Sequence, residues 1–223
     1  GTAEEIAVAA ERSFRSRIFK TKDATKANLA EVLHSRGSAV SPAMLFTASH
    51  GMGWSKPDPQ QHTTQGALLC QDWSGFGSVT KNHYLTAADV SDDARLHGLV
   101  AFFFACYGAG TPAFDNFLTD RSKGPVAITD QPFVSALPQR LLSHPQGGAL
   151  AVLGHIERAW GYSISPPGVG AQLVPFRNLI GRILTGQPVG HSTKDFSEKY
   201  AALSSELLSN LDTTQGAKPP SDK

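Results

Sequence analysis

Leu99-Val-Ala-Phe-Phe-Phe-Ala-Cys106 is the most strand-like run in the chain, eight apolar residues without alternation. A strand with one wet face alternates polar and apolar side chains, so an unbroken run of this length predicts a strand buried on both faces, as in a parallel sheet. Gly98 stops any helix entering it, and Tyr107-Gly108-Ala109-Gly110 turns the chain away after it.

Shorter apolar runs lie on both sides. Ala43–Ala48 reads as a buried strand that stops at Ser49-His50-Gly51, Ala67–Cys70 as a second strand, and Ala149–Leu153 as one ending at Gly154-His155. Helical spacing fills the intervals. Residues 3–19 repeat Ile6, Ala9, Ala10, Phe14 and Ile18. Asp23 is positioned to cap a helix carrying Leu29, Val32 and Leu33, which Gly37-Ser38 would end. Thr86 is expected to cap a helix reaching Leu96, with Asp89, Asp92 and Asp93 near its first turns, and Phe133, Leu137 and Leu141 mark a further one. Another segment lies near Leu179–Leu184, and Phe196, Tyr200, Leu203, Leu207 and Leu211 form a last helical stripe. Pro57 and Pro59 hold residues 53–65 as a loop. Strands alternating with helices predict an α/β fold with a mostly parallel central sheet. At 223 residues one domain over 1–212 is expected, with 213–223 as a disordered tail.

Composition narrows the function classes. Twenty Lys and Arg stand against 19 Asp and Glu, leaving a net charge of +1, which carries no electrostatic footprint for nucleic acid or an anionic membrane. No apolar stretch approaches the roughly 18 residues a membrane span needs. The two cysteines, Cys70 and Cys106, are too few for a disulfide scaffold and mildly favour the cytoplasm. The chain begins Gly1-Thr2 without Met or signal peptide, as expected of a piece of a longer protein. His62, His83 and His97 have no metal-ligand spacing with either cysteine, so no metal and no cofactor is expected. Neither a Gly-x-Ser-x-Gly elbow nor a phosphate-binding glycine loop is present.

In open parallel sheets, sites gather beyond the carboxyl ends of the strands. One such end carries an imidazole beside a glycine, His50-Gly51. Another carries a thiol closely followed by glycine, Cys106-Tyr107-Gly108. A thiol attacking a carbonyl needs a proton shuttle and backbone N–H donors for the oxyanion, and glycine lets backbone approach substrate closely. The 56 residues between His50 and Cys106 span one or two crossover units, so both can share one sheet edge. Each also has a plain packing reading, as a core thiol and a structural histidine.

Leu45-Phe-Thr-Ala-Ser-His50-Gly51 followed by Phe102-Phe-Phe-Ala-Cys106-Tyr-Gly108 resembles the two catalytic motifs of the caspase-like (clan CD) cysteine peptidases, closest to the bacterial CHAT-domain and gingipain-like proteases. The resemblance covers roughly residues 43–160, and Gly148–Trp160 looks like the strand that follows the catalytic cysteine in CHAT-type members. It implies a three-layer α/β/α sandwich and a cysteine endopeptidase acting on protein or peptide substrates. Cys106 would be the nucleophile, His50 the general acid, and the N–H groups of Gly51 and Cys106 the oxyanion hole. Members that cut after Arg or Lys place a carboxylate in the substrate pocket. Phe104 occupies the position used in some of them, which leaves Asp72 and Asp115 as candidates, each with a plain reading as a loop cap or solvated charge. Arg121 and Lys123 lie where related enzymes are processed, so self-cleavage there is expected. Residues 1–42 offer no first strand, so either that strand belongs to a missing upstream segment or residues 3–19 are helical only in part; a regulated enzyme with an activator or regulatory domain is expected. Two rivals remain: a non-catalytic interaction module of the same fold, and a thiol-dependent acyl transferase or hydrolase.

Overall fold

The structure, a computed structural model, describes residues 4–5, 14–35, 41–115, 117, 124–168 and 170–216, the last three by backbone alone. By packing, the chain falls into two compact units, Arg17–Ala171 and Gly1–Ser16 with Gln172–Lys223, where the sequence predicts one domain over 1–212.

The larger unit is mixed α/β. Its centre is a three-stranded parallel sheet of β1 (Met44–Ala48), β4 (Val100–Phe104) and β7 (Ala151–Gly154), with β4 in the middle. All five β4 residues are buried, as an unbroken apolar run requires. Ala101, Phe103 and Ala105 face a core that also holds Leu33, Leu68, Leu85, Leu96, Leu137 and Leu141. Phe102 is turned away from that core and stacks on Phe46, ring centroids 5.2 Å apart. β1 is an edge strand and only half-buried. Its register with β4 runs from Met44 opposite Val100 to Ala48 opposite Phe104.

Short elements surround the sheet. They are α1 (Lys26–His34), a one-turn α2 (Gln61–Thr64), α3 (Ala136–Leu142), and the antiparallel pairs β2 (Leu68–Leu69) with β3 (Tyr84–Leu85) and β5 (Gly110–Thr111) with β6 (Phe133–Val134). Three expectations are corrected. The cap of α1 is Thr25, whose hydroxyl accepts the Asn28 N–H at 3.2 Å, while Asp23 ends a preceding 3-10 turn. Thr86 does form a capping box with Asp89, but it opens a single 3-10 turn, Ala87–Asp89, and no helix reaches Leu96. Here Ala94 and Leu96 are buried as irregular chain, so their apolar spacing reflects core filling rather than a helical face. Phe133 lies in β6, ahead of α3.

The second unit packs α4 (Val174–Leu184), α5 (Val189–Ser192) and α6 (Lys194–Gly216). Pro175 in the first turn suits α4, and the Phe176 and Phe196 rings meet edge to face at 5.1 Å. Helix α6 continues past residue 212, into the segment expected as a tail. Phe14 to Lys20 are not helical; of the expected helix over 3–19, Glu4 and Glu5 are helical and the remainder lies outside the described residues, as do Gly37-Ser38. Among the described residues no helix is long and apolar enough to cross a membrane.

Candidate active site

His50 and Cys106 occupy matching positions. Ala48 is the last β1 residue opposite Phe104 of β4, and each candidate lies two residues further on. The Ser49 N–H still bonds the Phe104 carbonyl at 3.1 Å, so both chains leave the sheet side by side, at a strand spacing of about 4.8 Å.

Past the sheet, β1's continuation swings onto β2. Gly51 bridges Leu68, flanked by Leu69 N–H to His50 O at 2.9 Å and Met52 N–H to Ala67 O at 2.9 Å. In such an antiparallel pair the bridging residue's own N–H turns away from its partner strand. Gly51 is turned toward Cys106 and allows no side chain: a Cβ there would lie 1.8 Å from the Cys106 carbonyl oxygen. The N–H groups of Gly51 and Cys106 have no acceptor among the described residues, although those of Met52, Tyr107 and Gly108 are all bonded. Two adjacent donors without acceptors suit a developing oxyanion.

The thiol is half-buried. Its Sγ accepts the Ala159 N–H at 3.3 Å and reaches the Ala159 carbonyl at 3.7 Å. The His50 ring is exposed and bonds no other described residue, so the thiol and imidazole share a strand edge without a direct hydrogen bond. Tyr107 follows with φ 56°, a left-handed conformation that costs a bulky residue of order 1 kcal/mol or more. It is over-determined by its neighbours. Its N–H bonds Glu157 O at 2.8 Å, its carbonyl accepts the Ser135 hydroxyl at 2.5 Å, and Gly66 (φ 79°) passes so close that a Cβ would sit 2.0 Å from that carbonyl. Burial pushes the Tyr107 phenol above its usual pKa, with the Arg158 charge opposing.

The two candidate pocket carboxylates lie apart in role. Asp72 is exposed and its Oδ2 accepts the Lys26 N–H at 2.6 Å, closing the first turn of α1. Asp115 is paired with Arg158. The guanidinium of Arg158 also lies 5.3 Å from the Phe117 ring centroid and 5.6 Å from that of Trp160. Arg158, Ser135 and Gly66 are not legible as site residues in the sequence. The one cue it offers is the charge pair Glu157-Arg158 just beyond a strand end. Arg121 and Lys123 lie outside the described residues.

His155, at the end of β7, packs edge to face on Phe104 at 4.8 Å. Burial holds its imidazole below the usual pKa, outweighing a hydrogen bond to the Phe103 backbone. Cys70 is buried, and that burial, with Asp72 adding to it, pushes its thiol up to about 11. It is the inert cysteine of the two. Among the described residues no three His, Cys, Asp or Glu side chains gather as a metal-holding group. No protein-family model, curated protein or solved structure matches the chain.

Proposed function

We propose that this chain is a cysteine endopeptidase of the caspase-like type, built on a three-layer α/β/α sandwich around the parallel sheet. The observation that carries the reading is the matched exit of His50 and Cys106 from β1 and β4, with Gly51 packed on the Cys106 backbone and the N–H groups of both without acceptors among the described residues.

In this mechanism the Cys106 thiolate attacks the substrate carbonyl, forming the S–C bond, while the two N–H groups receive the charge on oxygen. His50, carrying the thiol's proton, gives it to the departing amine as the C–N bond breaks. The thioester then takes up water, releasing the new carboxyl end and restoring the thiol. His50's exposure fits this role, because the amine it must reach belongs to a substrate entering from solvent. Both cysteines are free, which fits the reducing conditions of the cytoplasm. A regulatory domain or activator protein would supply control.

Digestion of a proteome-derived peptide library with wild type, Cys106→Ala and His50→Ala tests the reading. New termini should appear with wild type alone. A protein that binds partners equally well as wild type and Cys106→Ala, and cuts nothing, is an interaction module. Transfer of acyl groups without new peptide termini indicates an acyl transferase.

A further inference from the structure

The segment Glu157–Trp160 lies across the candidate nucleophile. Tyr107 N–H bonds Glu157 O, and the backbone N–H of Ala159 points at Cys106 Sγ from 3.3 Å. The peptide bond nearest the thiol is therefore Arg158–Ala159, with Arg158 standing where the residue before a scissile bond would stand. Its side chain is received accordingly. Asp115 takes the guanidinium by an ion pair, and the Phe117 ring centroid lies 5.3 Å from it; Trp160, within the segment itself, lies 5.6 Å away. A carboxylate with an aromatic ring beside it is a set of groups that recognises a guanidinium.

The geometry keeps this bond intact. Attack on a carbonyl proceeds from above the peptide plane, whereas a sulfur accepting the amide N–H lies near that plane on the nitrogen side. The fit is also incomplete, since Arg158 Nε is buried without a partner among the described residues. An occupant with an unmet donor is easier to displace than one fully satisfied.

We infer that Glu157–Trp160 is a built-in pseudosubstrate: Arg158 fills the place of the side chain before the cleaved bond, and a substrate bearing arginine or lysine there must displace it. This rests on the peptidase reading for its meaning, but its physical content is access to one thiol and preference for one side-chain chemistry.

The test is alkylation of the full chain by iodoacetamide, resolved by peptide mass spectrometry so that Cys70 serves as the internal control. Arg158→Ala and Asp115→Asn should each speed Cys106 modification at least tenfold, with the far-ultraviolet spectrum unchanged. In Arg158→Ala, acetyl-arginine amide should slow that modification and acetyl-norleucine amide should not. Unchanged Cys106 labelling in a folded variant overturns the pseudosubstrate. If Arg158→Ala does not fold, Asp115→Asn decides, because it keeps the arginine and both rings. Equal protection by the two amides overturns the basic preference. Faster labelling with arginine-selective protection, yet no peptide cut by any variant, keeps the inference and removes the peptidase reading.

Discussion

Gly51 and Cys106 meet backbone to backbone, with no room for a methyl group between them: a Cβ on residue 51 would lie 1.8 Å from the Cys106 carbonyl oxygen and 2.8 Å from its nitrogen. The loop leaving β1 and the turn leaving β4 are therefore packed main chain on main chain, and a side chain added at residue 51 would press on the candidate nucleophile's own backbone.

Gly51→Ala should accordingly cost about 1–3 kcal/mol by overpacking, because the clashing atoms are main chain and cannot rotate aside. Thermal unfolding should show a fall of several degrees, and peptide cleavage should drop by far more than the stability loss explains. An alanine variant with wild-type melting and activity would show that the two backbones are not in contact.

Ser135→Ala tests the support under Tyr107. The serine is fully buried and its hydroxyl bonds the Tyr107 carbonyl. Losing that bond should cost about 1 kcal/mol. With the left-handed turn less firmly held, turnover should fall several-fold with little change in KM. A KM change alone, with turnover intact, would place Ser135 outside the support of the nucleophile.

Much of this arrangement is legible in the sequence because it depends on long-period signals. The run Leu99–Cys106 reads as a doubly buried strand, and β4 is one. Ala43–Ala48 and Ala149–Leu153 are strands as expected, and as β1 and β7 they are found flanking it, so that the strand ends bring His50 and Cys106 to one edge. The failures have physical reasons. β3, β5 and β6 have two residues each, too few for any periodicity, and exist through their partners. Val90, Ala94 and Leu96 imitate a helical face while filling the core from irregular chain. The partner of Asp115 is hidden because Arg158, which pairs with it, lies 43 residues away in sequence. Thr25 and Asp23 are both acceptable caps, and only the three-dimensional path decides between them.

The buried Cys70 thiol should leave a signature in both reactivity and stability. Cys70, whose pKa burial raises from 9.0 to about 11, should resist alkylation throughout the neutral and mildly alkaline range. The same shift affects stability. The unfolded chain loses this proton near pH 9 and the folded chain only near 11, so stability falls as pH rises across that window. Cys70→Ala should flatten that fall in urea unfolding measured at about pH 8 and about pH 10.5, on either side of the unfolded thiol's titration. A slope unchanged by the substitution would contradict the burial account.

Asp89 gives the opposite sign. Burial alone would raise its carboxyl pKa, but the Lys26 ammonium at 2.8 Å and the Thr86 hydroxyl and N–H together hold it below the ordinary 3.8. Its contribution is present above that ordinary value and is lost as pH falls through the lower, folded one. Asp89→Asn should destabilise the protein by about 1 kcal/mol at neutral pH. The difference from wild type should shrink as pH falls below the ordinary 3.8 and through the lower, folded value. A difference that persists unchanged once the carboxyl is protonated in both states would mean that the capping box and ion pair are not its source.

Sequencing of new termini after wild-type and Cys106→Ala digestion of a proteome-derived peptide library bears most directly on the central claim, that Cys106 is a peptidase nucleophile. The account predicts cuts with wild type and none with Cys106→Ala, following arginine or lysine and increased in Arg158→Ala. Cuts that persist in Cys106→Ala, or a library left intact by wild type and Arg158→Ala alike, would contradict it.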